Sequence, residues 1–97
     1  MAARVTVCER PDGSFEILLN EEGRDAMMRE LQRLDRQSEH FHLDHFEEPE
    51  MEFATDIPLA ATPYNEGDKV FTVGKVLLRP DDWDAEHFPH VMPSAVV

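Results

Sequence analysis

Hydrophobic and polar positions alternate from the start of the chain. Between Ala3 and Glu9, Val5 and Val7 share one side and Arg4 and Thr6 the other, the period-two pattern of a strand with one covered face. Pro11-Asp12-Gly13 interrupts it. Pro fixes φ, the Asp carboxylate bonds its own backbone and Gly tolerates positive φ, so the tripeptide predicts a turn. Ser14 to Leu19 resumes the alternation with Phe15, Ile17 and Leu19 on a common face, which completes a β-hairpin. The period then lengthens. Asn20 stands at an N-cap position with Glu21 and Glu22 in the first turn, where carboxylates complement the helix dipole. Met27, Leu31 and Leu34 recur at helical spacing, backed by a polar face of Asp25, Arg29, Arg33 and Arg36. A helix from Glu21 to about Gln37 follows, with Met27, Leu31 and Leu34 against the sheet.

The second half alternates again. His40 to Phe46 predicts a third strand with Phe41 and Leu43 inward, ended by Glu47 to Pro49, and Met51 to Ala54 a short edge strand. Ile57 to Gly67 carries Pro58, Pro63 and Gly67 and reads mostly as loop. Val70 to Leu78 is a last strand, apolar on both faces near its end, as a central strand is. From Arg79 onward RPDDWDAEHFPHVMPSAVV has no period. The order β-β-α-β-(β)-β supplies one helix, which covers one face of a sheet. The expected fold is therefore an α+β two-layer domain, an antiparallel-rich sheet under one long helix. That domain takes residues 1–80, and 81–97 form a C-terminal tail, partly packed through Trp83 or Phe88 and frayed at its end.

Charge narrows the partners. The 97 residues carry 21 acidic and 9 basic side chains, a formal net charge of −12. Phosphate backbones are held by clustered Lys and Arg, so this balance argues against nucleic acid, and equally against an anionic membrane surface. It favours a basic partner, or simply solubility. A chain of this length makes one domain with a thin core. Cys8 is the single cysteine, which excludes an internal disulfide and a thiolate zinc cage and leaves an inert thiol. The opening MAARVTVCERPDG has too short an apolar run for a signal peptide, and no stretch is long enough to span a bilayer, so the expected location is cytoplasmic.

One stretch spells chemistry. HFHLDH, His40 to His45, has the pattern H-x-H-x-D-H and resembles the metal-binding signature of metallo-β-lactamase-type hydrolases. That resemblance implies a loop where the ligands converge, further ligands downstream and a fold of about twice this length. Strand alternation instead puts His40, His42 and Asp44 on one face and His45 on the other, and only His87 and His90 follow. His40 and His42 alone could take up a metal ion without chemistry. Ser14, Ser38 and Ser94 lack a nucleophile-elbow setting, and the pairs Asp81-Asp82 and Glu47-Glu48 select no general acid and base. Gly13, Gly23, Gly67 and Gly74 make no phosphate-cradling loop. The expectation is a non-enzyme without cofactor, metal ligands or catalytic residues.

A different resemblance covers more of the chain. FEILLNEEGRDAMMRELQRLDRQSEHFHL is similar to the immunity protein 32 family of bacterial polymorphic toxin systems. Glu16, Ile17, Leu19, Glu21, Glu22, Gly23, Leu31, Leu34, His40, His42 and Leu43 carry the likeness, and Val76 and Leu78 resemble the family's closing strand. It spans roughly residues 14–78. The chain departs from the family after the H-x-H-L strand, where DHFEEPEMEF stands in place of a Pro-Trp-Gly-rich segment. The resemblance implies a non-enzymatic inhibitor that binds one toxin, and a basic toxin domain would match the charge. The expected partner-binding residues are Asp44, Phe46, Glu47, Glu48, Glu50, Met51, Glu52 and Phe53, acids interleaved with apolar anchors. A cytosolic adaptor or regulatory domain without a toxin partner is the alternative, and a metal-dependent hydrolase the remote one.

Overall fold

The computed structural model describes residues 2–47 and 55–93. The expected hairpin forms from β1 (Val5–Glu9) and β2 (Phe15–Leu19), antiparallel from Val5↔Leu19 to Glu9↔Phe15. Its turn closes as the tripeptide demands. Asp12 Oδ1 accepts from the Ser14 amide at 2.9 Å and from its hydroxyl at 2.6 Å, while Gly13 takes φ 90°.

Helix α1 (Glu21–Arg33) starts at Asn20, whose Oδ1 accepts from the Gly23 amide at 2.7 Å. The same oxygen accepts from the Arg4 amide at 2.8 Å, and Nδ2 donates to Ala2 O at 3.0 Å. One side chain thus caps the helix and ties it to the entry of β1. The helix ends a turn earlier than its periodicity suggests. Asp35 Oδ1 takes the amides of Gln37 at 2.8 Å and Ser38 at 2.6 Å, a local bond pattern that competes with helix.

The helix face also differs from the expected one. Gly23 and Ala26 are buried, Met27 and Leu34 are half-buried, and Leu31 is 49% exposed. Backbone proximity explains the rotation. A Cβ on Gly23 would lie 2.3 Å from Arg4 O, so the smallest residues face β1 and Leu31 turns out to solvent.

The single sheet expected from the sequence is divided. Among the described residues there are two three-stranded sheets, β2-β1-β5 and β4-β3-β6, with β3 at His40–Asp44, β4 at Ile57–Pro58, β5 at Lys69–Val70 and β6 at Val73–Leu77. Pairing is antiparallel except β3 with β4. The expected central strand from Val70 to Leu78 breaks after Val70, and its larger part, β6, lies at a sheet edge. Phe71 donates its amide to Val7 O at 2.8 Å, and Thr72 O accepts from His45 at 2.9 Å, so two residues transfer the chain from β1 to β3. Its apolar content served two different sheets, which is why it looked doubly covered.

The segment expected as loop from Ile57 also carries structure. Leu59 donates to Asp44 O and Ala60 to Val5 O, both at 2.8 Å, and Ile57 and Leu59 are buried. They join Val5, Ala26, Phe41 and Leu43 in the core. Phe41 and Leu43 point inward as the alternation predicts. The expected edge strand at Met51 to Ala54 lies outside the described residues.

β1 is enclosed on both faces, since Thr6 and Cys8 are buried as well as Val5. Behind it the Asp68 carboxylate, fully buried, accepts from Arg10 Nη1 at 2.5 Å and faces Cys8 Sγ at 3.8 Å. Burial, then the Asp68 charge, push the Cys8 thiol above its usual range, which keeps it un-ionised and unreactive. The stretch expected as a tail contains a short helix, α2 (Asp81–His87), and a 3-10 turn at Pro89–Val91. Arg36 forks onto Asp82 with two 3.0 Å bonds, and the Arg79 guanidinium lies 4.5 Å over the Trp83 ring. No apolar stripe drives α2, so periodicity had nothing to register.

Stability measurements can separate these positions. Phe41→Ala should cost about 3–5 kcal/mol and Leu31→Ala less than about 1 kcal/mol in denaturant unfolding, since only the first empties a closed site. Gly23→Ala should cost about 1–3 kcal/mol by forcing α1 off β1. Thr6 Oγ1 is buried with no partner among the described residues. Thr6→Val should therefore raise the unfolding free energy by about 1 kcal/mol, the opposite sign to an ordinary core substitution.

Candidate partner-binding groove

The residues expected to bind a partner fall into two groups. Asp44 ends β3 half-buried, its Oδ2 accepting from Thr55 Oγ1 at 2.9 Å, so its carboxylate serves the fold. Phe46 is half-buried and Glu47 exposed. Glu48, Glu50, Met51, Glu52 and Phe53 lie outside the described residues.

The histidine stretch follows its strand. His40 and His42 project to solvent from one face with ring centroids 4.9 Å apart, edge to face. His45 turns away, and its Nδ1 meets Leu59 O at 2.8 Å. The His42 backbone amide donates to Asp56 Oδ2 at 2.8 Å. Among the described residues no three His, Cys, Asp or Glu side chains are placed to share a metal ion. His40 and His42 stand two apart on this face, with Lys75 opposite His42 across the strand pair. A cation at that neighbour opposes a divalent ion.

An apolar concavity lies elsewhere, between the hairpin and β6. Its volume is about 280 Å³. Val7, Leu43 and Leu59 form the base, Ile17 and Met27 one wall, and Phe71 with the run Val73 to Val76 the other. The groove exists because α1 covers only part of the hairpin. Along β2 exposure climbs from 40% at Leu19 to 49% at Ile17 and 71% at Phe15, as the strand runs away from the Asn20 cap. Phe15, Ile17 and Leu19 share a face as their spacing predicts, but that face is open.

Chemically the groove can do one thing. Among the described residues it offers apolar surface without converging polar groups, with Lys75 the one charged residue along it. Sites for small ligands and cofactors run to about 300–1,000 Å³ and carry placed polar groups. This one suits an apolar side chain from a protein, the anchor-in-pocket arrangement of interface hot spots. Its key residues, Ile17, Phe71, Val73 and Gly74, were read as core or strand interior in the sequence. The available signal was quantitative: the chain has more apolar strand positions than one short helix can cover.

No family model, curated protein or solved structure matches the chain. No helix of the described residues is long and apolar enough to cross a membrane.

Val73 is 70% exposed, so Val73→Thr should change the unfolding free energy by less than about 0.5 kcal/mol. Ile17→Thr, on the groove side opposite Val7, should bind an environment-sensitive apolar dye visibly less than the parent. Equal dye fluorescence would place the dye-accessible apolar surface outside the groove.

Proposed function

We propose that this chain is a non-enzymatic acidic binding protein, an immunity protein that neutralises a basic bacterial toxin domain in the producer's cytoplasm. The observation that carries the proposal is an open apolar groove on a chain of net charge −12. Apolar patches left open on a small domain mark interaction sites, since burying them elsewhere would stabilise the fold. A strong negative field selects a cationic partner and accelerates encounter. The likeness to immunity protein 32 between residues 14 and 78 supplies the biological setting, because inhibitors of that type act by occupying a toxin. The acidic segment from Asp44 to Phe53 contributes charge to the same encounter.

The test is binding to the product of the adjacent gene, followed by fast kinetics at low and high salt. Replacing Glu47, Glu48 and Glu50 with Gln should slow association and flatten its salt dependence, because removing three negative charges weakens the long-range field that steers encounter. Replacing Ile17 with Ala should leave association unchanged and speed dissociation, by about 2 kcal/mol if Ile17 meets an anchor. A neighbouring product that is not bound, or is bound with rates indifferent to both changes, would overturn the proposal.

A further inference from the structure

The groove runs beside a strand edge that has no partner among the described residues. β6 is the outer strand of the order β4-β3-β6. Leu78 donates its amide to Glu39 O at 2.6 Å, and His45 donates to Thr72 O at 2.9 Å. With the register Phe41↔Val76 and Leu43↔Gly74, these bonds fix which backbone groups point toward β3. Antiparallel pairing alternates, so residues 72, 74, 76 and 78 bond inward. The N–H and C=O groups of Val73, Lys75 and Leu77 therefore point outward along an edge unpaired among the described residues.

Gly74 makes that edge accessible from the groove. It sits opposite Leu43, and directly paired residues place side chains on the same sheet face. On that face Gly74 contributes nothing, and a Cβ added there would meet no atom within 4 Å. The gap opens onto buried Leu43, and Ile17 bounds it from the hairpin.

Resting on the proposed function, we infer that the partner docks by strand addition. An extended segment of a basic protein pairs with the outer edge of β6 and sets one apolar side chain into the space over Gly74. A free edge supplies main-chain bonds and the adjoining pocket supplies side-chain selection, the two parts of this mode of recognition. Charge decides against a second copy of this chain. Each copy carries −12, and edge-to-edge pairing of two β6 strands would bring Lys75 toward its own counterpart, the usual protection of an edge against self-association. A cationic segment meets attraction from the chain as a whole.

The test uses the full chain and a capped peptide with a Thr-Leu-Thr-Leu-Thr centre flanked by lysines, followed by amide NMR at physiological salt. Its twin carries N-methyl groups on the amides that would face β6. The parent peptide should shift the amides of Val73, Lys75 and Leu77 and slow their hydrogen exchange. The twin should bind at least about tenfold more weakly, because an edge denied its bonds gains little from the peptide. Gly74→Val should weaken the parent peptide by about tenfold or more with the unfolding midpoint held or raised, since the added side chain enters empty space and Val favours strands. Shifts confined to residues outside β6, equal binding of the twin, or an unaffected Gly74→Val variant would each overturn strand addition. If the adjacent gene's product binds while the β6 amides stay silent, strand addition alone falls. If the peptide docks on β6 and that product does not bind, the toxin assignment falls and the docking edge stands.

Discussion

The edge of β1 turned away from the hairpin holds the two sheets together. Val5 O and Val7 O point to that side, where Ala60 and Phe71 donate to them. The two segments that meet β1 there then diverge. Residues 57–58 flank β3 on one side and residues 73–77 on the other. β3 is thus gripped by two arms that share one root, and the core residues Phe41, Leu43, Ile57 and Leu59 fill the space the arms enclose. Everything placed on β3 and β6, including the histidine face and the groove, takes its position from a few backbone bonds on β1.

Local signals in the sequence were read accurately where local physics decides. The Pro11-Asp12-Gly13 turn, the Asn20 cap and the inward Phe41 and Leu43 all depend on neighbours within a few residues. The losses share a cause as well. Whether Val70 to Leu78 is one strand or two depends on Val7 and His45, far away along the chain. Whether Leu31 or Ala26 faces the sheet depends on how closely α1 approaches Arg4 O, a distance no periodicity encodes. Ile57 and Leu59 sat among prolines and were discounted, yet two residues suffice for a strand when a neighbour supplies the ladder. For the candidate site the sequence offered acids and anchors between Asp44 and Phe53. It could not reveal the groove, because Ile17 and Val73 look identical to core residues until the helix is seen to stop short.

Polarity is divided by face rather than by region. The outer face of the β3–β6 pair carries His40, His42, Asp44 and Lys75 together with Val73 and Leu77, while the inner face holds no titratable group and is interrupted at Gly74. The H-x-H-x-D-H spelling is what such a strand produces when its solvent side happens to be titratable. Alternation alone turns a motif for convergence into a row.

The Arg10–Asp68 pair, with its carboxylate buried, has a consequence in time. The hairpin and α1 form from contacts between near neighbours, so they can assemble within microseconds. Asp68 must travel back across 58 residues of chain to reach Arg10, and closing a loop of that length costs entropy before any contact repays it. Until it closes, the outer edge of β1 and its Thr6–Cys8 face are uncovered. The order of events is therefore hairpin and helix first, arms last. During that interval the nascent chain is guarded against clumping mainly by its own charge.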